Sequence, residues 1–233
     1  MTKILLATMA LDIGGAETHV TELAKALCRS GYEVTVASAG GVYVGELTAA
    51  GVKHVCVPLH SKKPHHVLAS YRRLKALIQK EKFDVVHAHA RIPAFVCGRL
   101  SKKLGFRFVT SAHGTFDVNL IWKMISNWGE KTLAVSYDIK EYLINNYGVP
   151  ADNISITING IDTERYHPQA DASKVIKEFG LHTDGRKILY VSRIDNEAAH
   201  IGFQLAEAAP ALAQGDEALQ IVMVGGGTAF TVF

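Results

Sequence analysis

Short apolar runs rich in β-branched residues alternate with segments of helical periodicity along almost the whole chain, and this alternation limits the folds open to the sequence. Side chains repeat every two residues in a strand and every 3.6 residues in a helix. The alternation predicts an α/β, Rossmann-like fold in which helices flank a parallel sheet. The predicted strands are 3–9, 32–38, 53–59, 84–90, 106–112, 131–136, 154–158, 187–192 and 219–224. The predicted helices are 16–29, 66–80, 92–104, 137–146, 173–179 and 196–213.

Apolar periodicity stops in NGIDTERYHPQADAS, residues 159–173, where Gly, Pro, Asp and Ser accumulate. This composition predicts a linker. We therefore expect a Rossmann-like domain over 1–160, a linker over 161–172 and a partial, truncated second domain over 173–233. The second domain has a single βαβ unit, which cannot enclose a core alone and exposes a sheet edge. We expect either that a second copy completes this unit, giving a homo-oligomer, or that the sequence is a fragment.

The composition excludes some classes of protein. With 233 residues, 48% hydrophobic and 20% charged, the chain can bury a substantial core and does not resemble a disordered segment. Its formal net charge of +3 gives no argument for nucleic-acid binding. Cys28, Cys56 and Cys97 form neither a CxxC pair nor a zinc-type spacing, which favours a reducing, cytoplasmic location. No apolar stretch approaches the roughly 18 residues of a membrane span.

Two adjacent glycines, Gly14 and Gly15, separate the first predicted strand from the first helix. A strand that turns directly into a helix leaves unpaired N–H groups and the positive end of the helix dipole at the carboxyl edge of the sheet. Because glycines lack Cβ atoms, phosphate oxygens can approach the main chain here. Two interpretations stay open: an acceptor or phosphate site, with Asp12 contacting an acceptor hydroxyl, or a tight turn that Asp12 caps.

Several motifs follow one another in order: GGAETHVTELAKALCRSGYEVTVAS, DVVHAHARIPAFVCGRL, TSAHGT, AVSYDIKEYL, NGIDTERYHP and ILYVSRIDNEAA. This series resembles the retaining glycosyltransferases of family 4, which have the GT-B architecture, and the similarity extends over nearly the entire chain. The resemblance implies two Rossmann-like domains facing a cleft, with an acceptor bound mainly by the first and a nucleotide-sugar by the second. It also implies hexosyltransferase activity if the C-terminal half is completed.

Histidines occur in two of these motifs. His113 directly follows a predicted strand, and the resemblance implies that it lies near the transferred sugar, so it is the catalytic candidate. An imidazole can hydrogen-bond a sugar hydroxyl without being charged at neutral pH. The alternative is a histidine that only caps the strand end. We expect His87 and His89 on opposite faces of their strand, unable to chelate a metal together, with His89 facing the acceptor and His87 structural.

The second domain carries the candidates for donor binding. The resemblance implies that Arg193 binds the donor diphosphate, for which a planar guanidinium fork is suited. Ala199 stands where the family has a lysine, so the chain is expected to be incomplete as an enzyme. Gly225 and Gly226 form a second glycine turn after a strand and could contact donor phosphate. The chain has no DxD motif, and the resemblance implies that neither a metal nor another cofactor is required.

Basic residues cluster in the second quarter of the chain. Each cation near an anionic leaflet contributes about 1 kcal/mol, so the cluster could hold the first domain at the inner face of a membrane. The sequence favours a solvated helix face instead, because no exposed apolar stripe accompanies the charges. The cluster consists of Lys62, Lys63, His65, His66, Arg72, Arg73, Lys75, Lys80 and Lys82.

Three functions are therefore compatible with the sequence. The leading hypothesis is a glycosyltransferase that moves a sugar from a nucleotide-sugar to an unknown acceptor. The second is a non-catalytic phospholigand-binding or self-associating module of GT-B descent, which the altered segment around Arg193 favours. The third is a GT-B epimerase acting on a nucleotide-sugar. No residue of the sequence distinguishes this epimerase from the glycosyltransferase.

Overall fold

The computed structural model describes residues 1–116, 118–164, 166–192, 194, 199–216 and 218–227. The chain divides into two compact units, Met1–Asp162 and Thr163–Phe233. The strands are β1 Lys3–Ala7, β2 Glu33–Ser38, β3 Lys53–Cys56, β4 Val85–Ala88, β5 Arg107–Ala112, β6 Lys131–Ala134, β7 Ile154–Ile156, β8 Lys187–Val191 and β9 Gln220–Val224. The helices are α1 Gly15–Arg29, α2 Val44–Ala49, α3 Pro64–Glu81, α4 Arg91–Leu104, α5 Leu120–Ile125, α6 Tyr137–Tyr147, α7 Ser173–Glu178 and α8 Ala199–Ala213.

The first unit contains a seven-stranded parallel sheet in the order β3-β2-β1-β4-β5-β6-β7. This confirms the predicted Rossmann-like class. The strand order reverses between β1 and β4, and in open parallel sheets the crevice at such a reversal is where ligands bind. The loops that follow β1, β4 and β5 therefore decide what the first unit can bind.

Both faces of the sheet are covered, which explains why its strands appear in the sequence as nearly continuous apolar runs. In β1, Ile4 and Leu6 pack on one face in the core under α1 and α2. Their neighbours Leu5 and Ala7 pack on the other face, in the core under α3 and α4. Successive side chains of a strand point to opposite faces, so one apolar strand contributes to two cores.

Local signals fix the ends of the main helices. Pro64 is the first residue of α3, where its missing N–H removes no helical hydrogen bond. Ser136 caps α6, because its Oγ accepts a hydrogen bond of 3.2 Å from the N–H of Ile139. The helix ends at Gly148, whose φ of 64° is in the left-handed region that glycine adopts without strain.

The sequence analysis missed α2 and α5, each only six residues long, because two turns are too short to show a helical period. It also extended several strands by two or three residues, although backbone hydrogen bonds such as that from the N–H of His89 to the carbonyl of Ala7, 2.9 Å, continue past the strand ends. β1 ends at Ala7 rather than at 9, and β4 at Ala88 rather than at 90, since the chain turns away there to form the loops of the carboxyl edge. Among the described residues, no helix is both long and apolar enough to cross a membrane.

In the second unit, β8 and β9 pair in parallel, with Lys187 opposite Gln220. Alternate residues of β8 are exposed, including Leu189 (62%) and Val191 (67%), so one face of this strand presents apolar side chains to solvent. Helices α7 and α8 belong to this unit.

Candidate functional site

Three loops at the carboxyl edge of the first sheet converge on one cavity of about 210 Å³. They follow β1, β4 and β5, so the cavity adjoins the reversal of strand order. Apolar side chains supply part of the wall, and a few polar groups face the same space, as in most small-molecule sites. The polar lining includes Thr8, Glu17, His89, Arg91, Ser111 and His113.

His89 and His113, predicted from separate motifs, meet at this cavity. The Nδ1 of His89 lies 3.2 Å from the Nε2 of His113, a distance at which one ring donates a hydrogen bond to the other. His19 on α1, which the sequence analysis did not select, completes the group, with its ring centroid 5.0 Å from that of His113. The sequence could have indicated His19 by its position, because it follows Gly15 by four residues and so lies one helical turn from the start of α1.

The expectation that His87 and His89 point to opposite faces is wrong. Their ring centroids lie 4.0 Å apart, because residues i and i+2 of a strand share a face. The Nε2 of His87 lies 2.8 Å from the Oγ of Ser111 on the adjacent strand, and the ring is buried. His87 therefore packs beneath His89 and links two strands.

Burial keeps these histidines neutral at pH 7. Desolvation lowers the pKa of His87 to about 3 and that of His113 to about 4, with the neighbouring histidines adding to both effects. The same cause lowers the pKa of His89 well below its ordinary value and also lowers that of His19. A neutral imidazole presents one N–H donor and one lone pair, so each ring can bind a hydroxyl.

Two imidazole nitrogens of the cluster lack a partner. The Nε2 of His89 and the Nδ1 of His113 are buried and make no hydrogen bond within the described part of the chain. In addition, His19, His89 and His113 each place one nitrogen within 4.8 Å of the others, so these rings are close enough to approach a common metal ion. The sequence-based expectation that no metal is required stays a prediction.

The Gly14–Gly15 turn starts α1, as the pattern predicts, and Gly14 is in an extended conformation with φ of 176°. The carboxylate of Glu17 lies against Gly14, where a Cβ would otherwise stand, and its charge complements the positive end of the helix. An anion bound at this turn would meet that carboxylate, so Glu17 would have to rotate away. Nothing lies within 4 Å of a Cβ built on Gly15, and Asp12 is exposed.

The sequence analysis overlooked Arg91, the first residue of α4. Its guanidinium carbon lies 4.1 Å from the ring centroid of Phe116 and 5.1 Å from that of Trp122. The Nε and Nη2 atoms are buried and make no hydrogen bond to the described residues. The sequence did contain an indication of its role. A cation at the first position of a helix is unfavourable next to the positive end of the helix dipole, so its presence there suggests a function.

The donor-side candidates belong to the second unit. Arg193 lies outside the described residues. Gly225 packs against the carbonyl of Ser192, which leaves no room for a Cβ, and the N–H of Ile194 donates to the carbonyl of Gly226 at 3.1 Å. These contacts show a structural role for both glycines. That they bind donor phosphate stays a prediction.

Comparison with known proteins agrees with this architecture. The profile of Glycosyltransferase Family 4 matches residues 13–165. N-acetyl-alpha-D-glucosaminyl L-malate synthase of Bacillus anthracis is 26% identical over 202 residues, which are 78% of this chain and 51% of that protein. Phosphatidyl-myo-inositol mannosyltransferase of Mycolicibacterium smegmatis is 27% identical over 225 residues, 92% of this chain and 56% of that protein. The chain thus spans about half the length of the curated relatives it matches.

A solved structure extends the similarity to both units. The crystal structure of Anabaena HepE in complex with UDP-glucose superposes with a TM-score of 0.76 at 18% identity, covering 99% of this chain and 62% of that one. At this identity the similarity shows the fold alone.

Proposed function

Because the chain belongs to Glycosyltransferase Family 4, we propose that it transfers a sugar from a nucleotide-sugar donor to an acceptor, with retention of configuration. The observation that carries the proposal is the convergence of His89, His113 and the start of α1 on one cavity beside the strand reversal. That cavity combines neutral hydrogen-bonding rings with apolar walls, which suits a sugar or polyol hydroxyl.

In this proposal His113 lies beside the reacting sugar. Its ring is largely buried and uncharged, so its free Nδ1 can hydrogen-bond a hydroxyl without placing a second cation near the developing positive charge of the sugar. His89 holds His113 in place and, together with Asp12 and the Gly14–Gly15 turn, forms the acceptor side.

The second unit is proposed to bind the donor. Arg193 would contact the diphosphate, and the turn of Gly225 and Gly226 would border it. HepE, which has the same fold, has been crystallised with UDP-glucose, and this supports a nucleotide-sugar as the donor class. Charge that develops on the leaving diphosphate has to be met by preorganised cations and N–H groups.

The test is a donor panel. The chain is incubated with UDP-, GDP- and ADP-sugars, with and without polyol acceptors, and nucleotide release is measured. We expect His113→Asn to lower the rate about 10²- to 10⁴-fold. His54→Asn is the matched control, because His54 is likewise a half-buried histidine with one side-chain hydrogen bond, to Ser38 Oγ at 2.9 Å, but is not part of the cavity lining. Product NMR determines the anomeric configuration, and equal rates for the two variants would refute the role of His113.

A non-catalytic, self-associating module is the second candidate, and the exposed apolar face of β8 favours it. Leu189 and Val191 on this face would be covered if two copies paired there. Analytical ultracentrifugation of the chain and of a Leu189→Glu variant tests this candidate. A dimer that the substitution abolishes would support it, and a monomer at all concentrations would refute it.

Peripheral contact with an anionic membrane from the cytoplasmic side is a further part of the proposal. Arg99, Lys102 and Lys103 line an open groove on the first unit, and Met124 of α5, which is 77% exposed, borders the same groove. Here an apolar side chain accompanies the charges, a combination that the sequence pattern did not reveal. Flotation with phosphatidylserine vesicles should recover the protein, and a Lys102→Glu/Lys103→Glu variant should remain unbound.

A further inference from the structure

We infer that Arg91 is the anchor of an oxyanion site, and that the acceptor therefore carries a carboxylate or phosphate group. The inference rests on the acceptor role proposed for the cavity. It adds the chemical class of the acceptor and names a residue that selects it. The sequence motifs point to the Gly14–Gly15 turn for anion binding, whereas the structure assigns this task to the start of α4.

The unpaired atoms of Arg91 form one edge of its guanidinium group. Nε and Nη2 are the two donors that lie side by side and point the same way, and both are buried without a hydrogen-bond partner among the described residues. This edge matches the two oxygens of a carboxylate or of a phosphate, with two parallel hydrogen bonds. Buried donors of a charged group are rarely left unpaired, so the edge calls for a ligand oxyanion.

The rest of the side chain is held in place. The guanidinium lies over the ring of Phe116, and the hydroxyl of Tyr142 donates to the carbonyl of Phe116 at 2.7 Å while accepting from its N–H at 3.1 Å. Trp122 lies on the guanidinium as well. Stacking fixes the plane of the group and leaves its edge available, which lowers the entropy lost when a ligand binds.

Charge in the cavity also favours an anion. Among the described residues that line it, Arg91 carries the only fixed positive charge, and no ion pair joins Arg91 to a carboxylate in the described part of the chain. The carboxylate of Glu17 also faces this region but lies against Gly14, at the positive end of α1. The cavity volume of about 210 Å³ fits a small anionic head group.

Arg99 provides an internal comparison on the same helix. Its guanidinium carbon lies 4.2 Å from the ring centroid of Phe95, much like the stack of Arg91 on Phe116, but Arg99 is exposed and lines the open groove instead. Stacking on an aromatic ring is therefore common to the two arginines. Only Arg91 combines it with a buried, unpaired edge that borders the cavity.

The test is equilibrium binding to the full chain, measured by calorimetry and by the fluorescence of Trp122 and Trp128. The probes are L-malate for carboxylates, inorganic phosphate and glycerol 3-phosphate for phosphates, and neutral myo-inositol as the uncharged control. We expect an anionic probe to bind and Arg91→Gln to weaken it about 10- to 100-fold. Arg91→Lys keeps the charge but not the fork and should give an intermediate loss, while Arg99→Gln should bind like the parent protein. Near-ultraviolet circular dichroism checks that each variant is folded.

Failure of this inference differs from failure of the proposed function. If no anionic probe binds, or if Arg91→Gln and Arg99→Gln weaken binding equally, the oxyanion site is refuted. Sugar transfer to a neutral acceptor at an unchanged rate in Arg91→Gln would also refute the site while leaving the transferase function intact. Conversely, anion binding that depends on Arg91 without transfer from any donor would support the site and contradict the proposed function. A preference for malate or for the phosphates then identifies the acceptor group.

Discussion

Acidification should destabilise the first unit through its buried histidines. Burial lowers the pKa of His87 to about 3 and that of His113 to about 4, and holds the pKa of His89 well below its ordinary value. In the unfolded chain these residues regain a pKa near 6.5. Between pH 6.5 and the folded pKa values the unfolded state binds more protons, so stability is fully present above about pH 6.5 and is lost as the pH falls.

The magnitude follows from proton linkage. At about pH 5.5 each unfolded histidine gains about 1.4 kcal/mol from protonation, against less than about 0.1 kcal/mol at about pH 7.5. The folded rings of His87 and His113 stay neutral at both pH values, because their pKa values of about 3 and about 4 lie well below 5.5. His87 and His113 together lower the free energy of unfolding by about 3 kcal/mol, a large part of the stability of an ordinary domain, and the buried His89 acts in the same direction.

Urea unfolding followed by tryptophan fluorescence measures this loss, since Trp122 and Trp128 both lie in the first unit. His87→Asn should reduce the acid-induced loss by about 1.4 kcal/mol, whatever it does to stability at neutral pH. His182→Asn, at an exposed position of the second unit, is the control and should leave the loss unchanged. A free energy of unfolding that stays constant or rises on acidification would refute the reasoning, as would an equal loss in His87→Asn.

Three further predictions concern the first unit. Burial raises the pKa of the Cys97 thiol to about 12, so a thiol reagent should label it only after denaturation, and rapid labelling in the native protein would contradict its burial. Gly129→Ala places a Cβ at a φ of 72° against a carbonyl of β5 and should lower the free energy of unfolding by about 1–3 kcal/mol. Gly105→Ala, where φ is similar but the space around the Cβ is open, should cost less, and equal losses would argue against the close approach at Gly129. Thr132→Val removes a hydrogen bond of 2.6 Å to the carbonyl of Trp128 and should lower the free energy of unfolding by about 1 kcal/mol in urea titrations, whereas Thr132→Ser should retain most of the bond.

The strands and main helices of the first unit were predictable because their signals are local. A short apolar run rich in β-branched residues marks a strand, and a helical period that a serine or glycine cap delimits marks a helix, whatever surrounds them. The sequence therefore identified the loops after β1, β4 and β5, and with them the candidates Gly14, His89 and His113. The family motifs also gave the function class, since they are short stretches of consecutive residues.

The sequence could not predict which side chains from distant positions in the chain come into contact. His19 is 70 residues from His89, and only the packing of α1 beside the strand reversal brings the two rings together. The exposed Met124 beside a basic groove and the Glu17 carboxylate against Gly14 are likewise products of packing.

The sequence by itself determined the order of the strands and longer helices, the α/β class and the family, because helix period, strand period and motif spacing are properties of neighbouring residues. The tertiary structure decided which polar atoms have partners. Arg91 shows the difference: its charge is known from the sequence, but only the structure shows that aromatic rings of α5 and the preceding loop cover the plane of its guanidinium and that its edge is buried without a partner among the described residues. Burial and hydrogen bonding depend on contacts across the chain, and these contacts turn a common side chain into a candidate binding group.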